Sequence, residues 1–302
     1  MTYVRPSIMK QLPRTGKGFL EREYYNEFRQ LLYDIIEGQQ PMTVRQVFYR
    51  AVVKGYVEKT EQGYGFIQRD LVQMRWNGKL PFGWIIDTSR NTRGGQGWNQ
   101  SVEEFMEEMF EEIPDRYTRN LLANHDFSIQ VWLEKEALAG VIWPMCMEWD
   151  VPLYCARGYS SLTFLHEAAQ SLERKDRPAK IFHFGDYDPS GQDAIATVQR
   201  DLPALAPKTA EHGLEFRIVA VKPEQIPEMN LPTRPTKRTD TRAASFGDES
   251  VELDAIEPNE LRRMVTEILR GCFPAGAHRR NERLQEEGRR EIRQRLRELG
   301  LI

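Results

Sequence analysis

Four side chains in this chain of 302 residues have the types and spacing needed to break a phosphodiester bond. Glu134 closes the apolar run IQVWLEKE (129–136), with Glu136 two residues on, and Asp186 and Asp188 close KIFHFGDYD (180–188). Alternate residues of an extended chain point to one side, so the two aspartates can face one cation. Hard Mg2+ takes one or two carboxylates together with water and phosphate oxygens, and Mn2+ accepts the same donors. The fourth side chain is Tyr49, in VFYRAVV (47–53). On a helix Val44, Val47, Phe48 and Ala51 form one apolar stripe. Tyr49 falls about 100° from its centre, roughly in line with Arg45 one turn earlier. The spacing therefore predicts a tyrosine outside the central core. A phenol pKa of about 10 means that attack near neutrality needs cations or a base nearby. Each feature has a plainer reading: an Asp-x-Asp pair is commonly a turn or cap, and a boundary tyrosine commonly bonds a neighbour.

Other residues could contribute. Arg45 could contact a DNA phosphate or favour the phenolate, while Arg69, Arg75 and Lys79 on a predicted third helix could meet the DNA backbone or simply face solvent. Lys135 points away from Glu134 if the chain stays extended, and a turn would bring it towards phosphate. Tyr159, after Gly158, could shape the site or a βα turn. Asp254 in VELDAI reads as a cap sooner than as another acid near a metal. Ser190, with Asp193 three residues on, is expected to cap the helix after the aspartates. The five histidines are dispersed, and GGQG (94–97) lacks the strand–turn–helix setting of a nucleotide loop.

These residues need a scaffold. EREYYNEFRQLLYDIIE (21–37) has helical spacing and ends at Gly38. Thr43 can cap VRQVFYRAVVK, a third helix is expected over 65–79, and FGWIID reads as a short strand. Three short helices with a strand hairpin outline a winged helix, in which a helix can enter a DNA groove. A polar, glycine-rich loop (91–100) and an acidic helix (101–113) follow. From residue 128 the texture changes to apolar runs at 129–136, 151–158, 180–188 and 216–221. Helical stretches separate them at 137–149, 160–174 and 190–201. That alternation predicts an α/β fold with a mostly parallel sheet, whose working groups belong at the strand carboxyl ends. The expected division is residues 1–115 and 116–302, the second part ending in a proline-rich loop (222–250), a helix (258–270) and an arginine-rich extension.

Net charge is −3, which gives no global sign of nucleic-acid binding, but the charge is segregated. EEFMEEMFEE (103–112) is acidic, whereas 279–302 carries eight arginines against five glutamates. The three cysteines, scattered and without Cys-x-x-Cys spacing, read as reduced thiols of a cytoplasmic protein. No apolar stretch approaches the roughly 20 residues of a bilayer helix. The first residues lack the apolar core of a secretory signal, so no membrane association is expected.

Taken in order, these pieces resemble the A subunit of topoisomerase VI and its relative, the meiotic double-strand-break transesterase. The closest likeness is to short stand-alone members of bacteria and mobile elements. TVRQVFY (43–49) resembles that family's Arg-x-x-x-Tyr helix, VWLEKEA its Glu-Lys-x-Ala strand end, and ARGYSS (156–161) its Gly-Tyr/Phe segment. FGDYDPSG resembles Asp-Gly-Asp-Pro-x-Gly, and VELDAIEPNELRRMV (251–265) resembles the segment after those acids. Tyr187 departs from the pattern, which has a small residue there. The resemblance implies a CAP-like winged-helix domain followed by a Toprim domain. It implies Mg2+ held by Glu134, Asp186 and Asp188, and attack of Tyr49 on double-stranded DNA to give a 5′-phosphotyrosyl link, with Arg45 assisting and Glu134 moving a proton. A homodimer in which one protomer's tyrosine meets its partner's metal is also implied, on nucleoid or mobile-element DNA. Nothing here resembles a GHKL ATPase, so ATP-driven strand passage would need such a partner. Two other readings remain: a Toprim nuclease using metal-activated water with Tyr49 idle, and a DNA-binding adaptor whose acids are structural.

Overall fold

A computed structural model describes residues 19–87, 101–123, 125–156, 161–236, 246–247 and 249–302, with side chains from Glu27 onward. GGQG, Gly158 and Tyr159 lie outside the described residues. The chain opens with α1 (Phe19–Glu37), α2 (Val44–Val53) and α3 (Glu61–Trp76). Thr43 caps α2 as expected: its hydroxyl accepts from Gln46 N–H, and the Gln46 side chain accepts from Thr43 N–H, a reciprocal capping box. α3 begins earlier than expected, because Thr60 caps it by accepting from Gly63 N–H. It also stops earlier. Gly78 takes the left-handed conformation, φ 67°, and Lys79 N–H turns back to the Met74 carbonyl. Lys79 is therefore beyond the helix, not on it.

The strand expected at FGWIID is a correction. Phe82–Trp84 is a 3-10 turn, with Ile85 N–H bonded to the Phe82 carbonyl. The segment's ladder is a single bridge between Ile85 and Met42, so local i→i+3 bonds outcompete strand pairing. No strand hairpin occurs among the described residues before α4 (Val102–Arg116).

The second half is an α/β structure built on β1 (Ser128–Leu133), β2 (Leu153–Cys155), β3 (Ala179–Phe184) and β4 (Leu214–Ala220). All pairings are parallel and the order is β2-β1-β3-β4. Crossovers run through α5 (Ala139–Glu148), α6 (Leu162–Glu173), α7 (Pro189–Leu205) and the short α8 (Pro207–His212). Beyond the sheet come α9 (Gln225–Glu228), a two-stranded ribbon of β5 (Arg234–Pro235) and β6 (Glu249–Ser250), α10 (Pro258–Cys272) and α11 (Ala277–Glu298). The latter packs on α4, where Arg293 pairs with Asp115 at 2.5 Å.

β1 is buried along its whole length, as a central parallel strand must be. Ile129, Val131 and Leu133 face one layer with Phe182 and Phe184 of β3. There they share a core with Val141 and Ile142 of α5 and Leu261 and Val265 of α10. Trp132 and Ile181 face the other layer, against Leu165 and Leu172 of α6 and Val198 of α7. The first of these cores continues without a break into Phe28, Leu32, Val47, Ile67 and Leu71 of α1–α3.

Candidate functional site

The order β2-β1-β3-β4 makes the chain step one way from β1 and the opposite way from β3. The gap beyond the carboxyl ends of these two neighbours is thus the topological switch point, where open α/β sheets carry their working groups. Leu133 pairs with Phe184, so Glu134 emerges beside Gly185 and Asp186. Asp186 N–H donates to Glu134 Oε2 at 2.8 Å. A Cβ on Gly185 would stand 2.5 Å from His183 Cε1 and 2.6 Å from Glu134 Oε2, so it would displace these side chains, and one on Gly191 would stand 2.8 Å from the Asp186 carbonyl, which leaves no room for it.

Asp188, and not Ser190, caps α7. Its Oδ1 accepts from Gly191 N–H at 2.8 Å, with Pro189 at the first helical position, where a missing N–H does no harm. The strand ends at Phe184 and Asp188 already caps α7, so strand alternation does not set how the aspartates point, and they pair with different side-chain cations. Each meets its own: Lys135 Nζ is 3.1 Å from Asp186 Oδ1, and Arg234 is 3.1 Å from Asp188 Oδ2.

The residue that joins them was not singled out in the sequence. Val251 pairs with Tyr187 through two backbone hydrogen bonds, docking the VELD segment across the strand end. Leu253 N–H then donates to Asp186 Oδ1 at 2.8 Å. Glu252, 3 % exposed, receives Arg45 through both oxygens at 2.6 and 2.7 Å, Arg234 at 2.8 Å and Lys135 at 3.2 Å. Asp254 is no cap; it takes Lys135 at 2.7 Å and lies 3.4 Å from the Thr43 hydroxyl. The only signal for Glu252 was its position two residues before Asp254, the alternation already noted for the aspartates.

Charge follows burial. Desolvation, reinforced by Asp186, raises the Glu134 carboxyl to about 7, against the pull of the Asp186 N–H and Lys135. Asp186 is raised too, chiefly by burial, with Lys135 and the Leu253 N–H opposing. For Lys135 burial opposes the charge, but Asp254, Asp186 and Glu252 outweigh it and its pKa is raised. For Glu252 burial acts upward, yet Arg45, Lys135 and Arg234 hold it at about 2.

Tyr49 is corrected from boundary to core. It is 2 % exposed, with its ring 5.5 Å from that of Phe48 and Lys59 Nζ 5.2 Å from its centroid. Helix periodicity measured its angle from one stripe, but α2 is covered on several sides and buries six of its ten residues. Burial first, then Glu252, raises the phenol to about 12, despite Arg45 and Lys135. Lys59 is itself lowered to about 8 by burial and donates to the carbonyls of Pro232 and Thr233.

A cleft of about 910 Å3 opens beside the acids, lined by Glu134, Lys135 and Asp186 on the sheet side and by Arg45 and Arg75 on the helical side. Of the cations expected at DNA, Arg45 and Lys135 are thus engaged with carboxylates, Arg75 borders the cleft, and Arg69 and Lys79 are exposed. Among the described residues no three His, Cys, Asp or Glu side chains are grouped so as to hold a metal ion. The donor chemistry suits a hard cation, but Lys135 and Arg234 already neutralise the aspartates. Glu134 and Asp186 are the side chains that would hold such an ion, joined by Asp188 if Arg234 withdrew. The three cysteines form no disulfide, and no helix among the described residues is long and apolar enough to cross a membrane. No family model matches the chain, and no curated protein matches it.

Proposed function

We propose that this protein cleaves DNA with a divalent cation, Mg2+ or Mn2+, at the Glu134–Asp186 pair. The observation that carries the reading is that Glu134 and Asp186 stand side by side at the switch point, the Asp186 N–H held by the Glu134 carboxylate, and that both line a cleft bordered by Arg45 and Arg75. An ion bound there would supply Lewis-acid stabilisation of the scissile phosphate and lower the pKa of a bound water. Glu134, at the strand end beside Asp186, is placed to take a proton from an attacking group. Lys135, together with the carboxylates, sets the local charge, and Arg45 and Arg75 are placed to meet phosphate oxygens. The relationship we infer is to the winged-helix-plus-Toprim proteins typified by the topoisomerase VI A subunit, supported by the ordered motifs and the βα placement of the acids.

The hydrolytic route is favoured over tyrosine attack because Tyr49 is 2 % exposed and its pKa is raised to about 12. The second reading keeps Tyr49 as nucleophile. It is supported by the electrostatic reach of Arg45 and Lys135 to the phenol, and would call for a homodimer and, for strand passage, a GHKL-type ATPase. Incubation of supercoiled plasmid with Mg2+ or Mn2+, followed by denaturant, separates the two. We expect nicked or linear DNA without a covalent protein adduct. Glu134→Gln and Asp186→Asn should each slow the cutting by about 100-fold or more, while Tyr49→Phe retains it. An adduct lost in Tyr49→Phe would establish transesterification instead, and DNA unaltered by wild type under both ions would favour the non-catalytic adaptor.

A further inference from the structure

Beside the cleft, two large aromatic side chains stand in solvent. Trp76, the last residue of α3, is 79 % exposed, and Phe82 is 62 % exposed. They are not scattered singly, which would need no explanation. Their rings meet edge to face, with centroids 6.4 Å apart at 89°, and the Arg75 guanidinium lies 5.7 Å from the Phe82 ring centre. The turn that follows α3 and the hydrogen bonds of the 3-10 turn at 82–84 fix this arrangement. Arg75 links the platform to the acidic cleft, lying over the Phe82 ring and lining the cavity. Tyr64, Gln68, Val72 and Arg75, spaced along one face of α3, line the same cavity as Glu134 and Asp186. Arg69 and Lys79 are exposed on the same helix and just beyond it, in the charge complementary to a phosphate chain.

We propose that Trp76 and Phe82 form a stacking site for unpaired bases, holding single-stranded DNA that leads along α3 to the carboxylates. This rests on the cleft being a DNA-cleaving site. Any base offers a π-face, so such a platform accepts all sequences, but bases within a duplex are already stacked on one another and cannot use it. The substrate class is therefore DNA with a single-stranded tract at the cut, such as a flap, bubble or frayed end.

The test is fluorescence anisotropy with labelled oligo-dT and with a blunt duplex of equal length, in EDTA so that no cutting occurs. Trp76→Ala is expected to weaken oligo-dT binding by about 5- to 150-fold, the loss of one stacked base. Duplex binding should stay within roughly twofold, and Trp76→Phe should retain most of the affinity. An unchanged oligo-dT affinity, or an equal loss on both DNAs, overturns the proposal. So does a smaller mass of Trp76→Ala by light scattering, which would make the platform a contact between two copies of this chain. Wild type that binds oligo-dT through Trp76 but cuts nothing overturns only the cleavage reading. Mg2+-dependent cutting together with oligo-dT binding indifferent to Trp76 overturns only this one.

Discussion

Glu134 is held where its charge is disfavoured, and that has a measurable sign. An acid raised from 4.5 to about 7 in the folded chain binds its proton more tightly folded than unfolded. Its contribution therefore lowers stability as pH rises from about 4.5 through about 7, by about 3 kcal/mol. Glu134→Gln keeps an oxygen for the Asp186 N–H and removes this penalty. We expect it to raise the thermal midpoint by several degrees at pH 8 and to match wild type at pH 5, read by scanning calorimetry. A shift of the same size at both pH values would show that burial of the charge is not its cause. At this scale the sequence was informative about the acids and misleading about Tyr49. Periodicity measures direction on a helix, and what covers each direction belongs to the rest of the molecule.

Between elements, the decisive contact is α2 against the segment 251–257. Arg45 reaches Glu252, and Arg50 donates to Glu257 and to the Ala255 carbonyl. Glu252 has three cations around a side chain that is 4 % exposed; removing it strips Arg45 of its carboxylate and leaves Lys135 with Asp186 and Asp254 and Arg234 with Asp188 alone. Glu252→Ala should cost about 3–5 kcal/mol at pH 7. Held at about 2, Glu252 contributes stability that is fully present above its ordinary value near 4.5 and fades as pH falls towards 2. Urea unfolding of wild type and variant should accordingly show a smaller difference at pH 3 than at pH 7. An undiminished gap at pH 3 would assign the loss to packing. The four strands and their helices were legible because alternating apolar runs and helical stretches are local patterns. FGWIID was misread because its composition suits a strand while its one partner residue, Met42, offers a single bridge.

One of the two cores joins the halves of the molecule. Leu32 and Leu71 of the N-terminal helices belong to the same buried cluster as Val131 and Phe184 of the sheet and Leu261, Val265 and Leu269 of α10. We expect a single cooperative transition in calorimetry, with residues 1–115 expressed alone failing to give a folded baseline. Two resolved transitions would show instead that the α2–Glu252 contact joins two units that fold separately.

The sequence alone determined which carboxylates stand at strand ends and that the sheet is parallel, because strand length, alternation and helix caps are written in neighbouring residues. Only the tertiary structure decided what those acids face. Arg45 meets Glu252 across 207 residues of chain, and Lys135 meets Asp254 across 119. Long-range charges of this kind obey distance in space, which no local spacing records. They set the three carboxylates expected to hold a metal, Glu134, Asp186 and Asp188, within a network of five carboxylates and three cations.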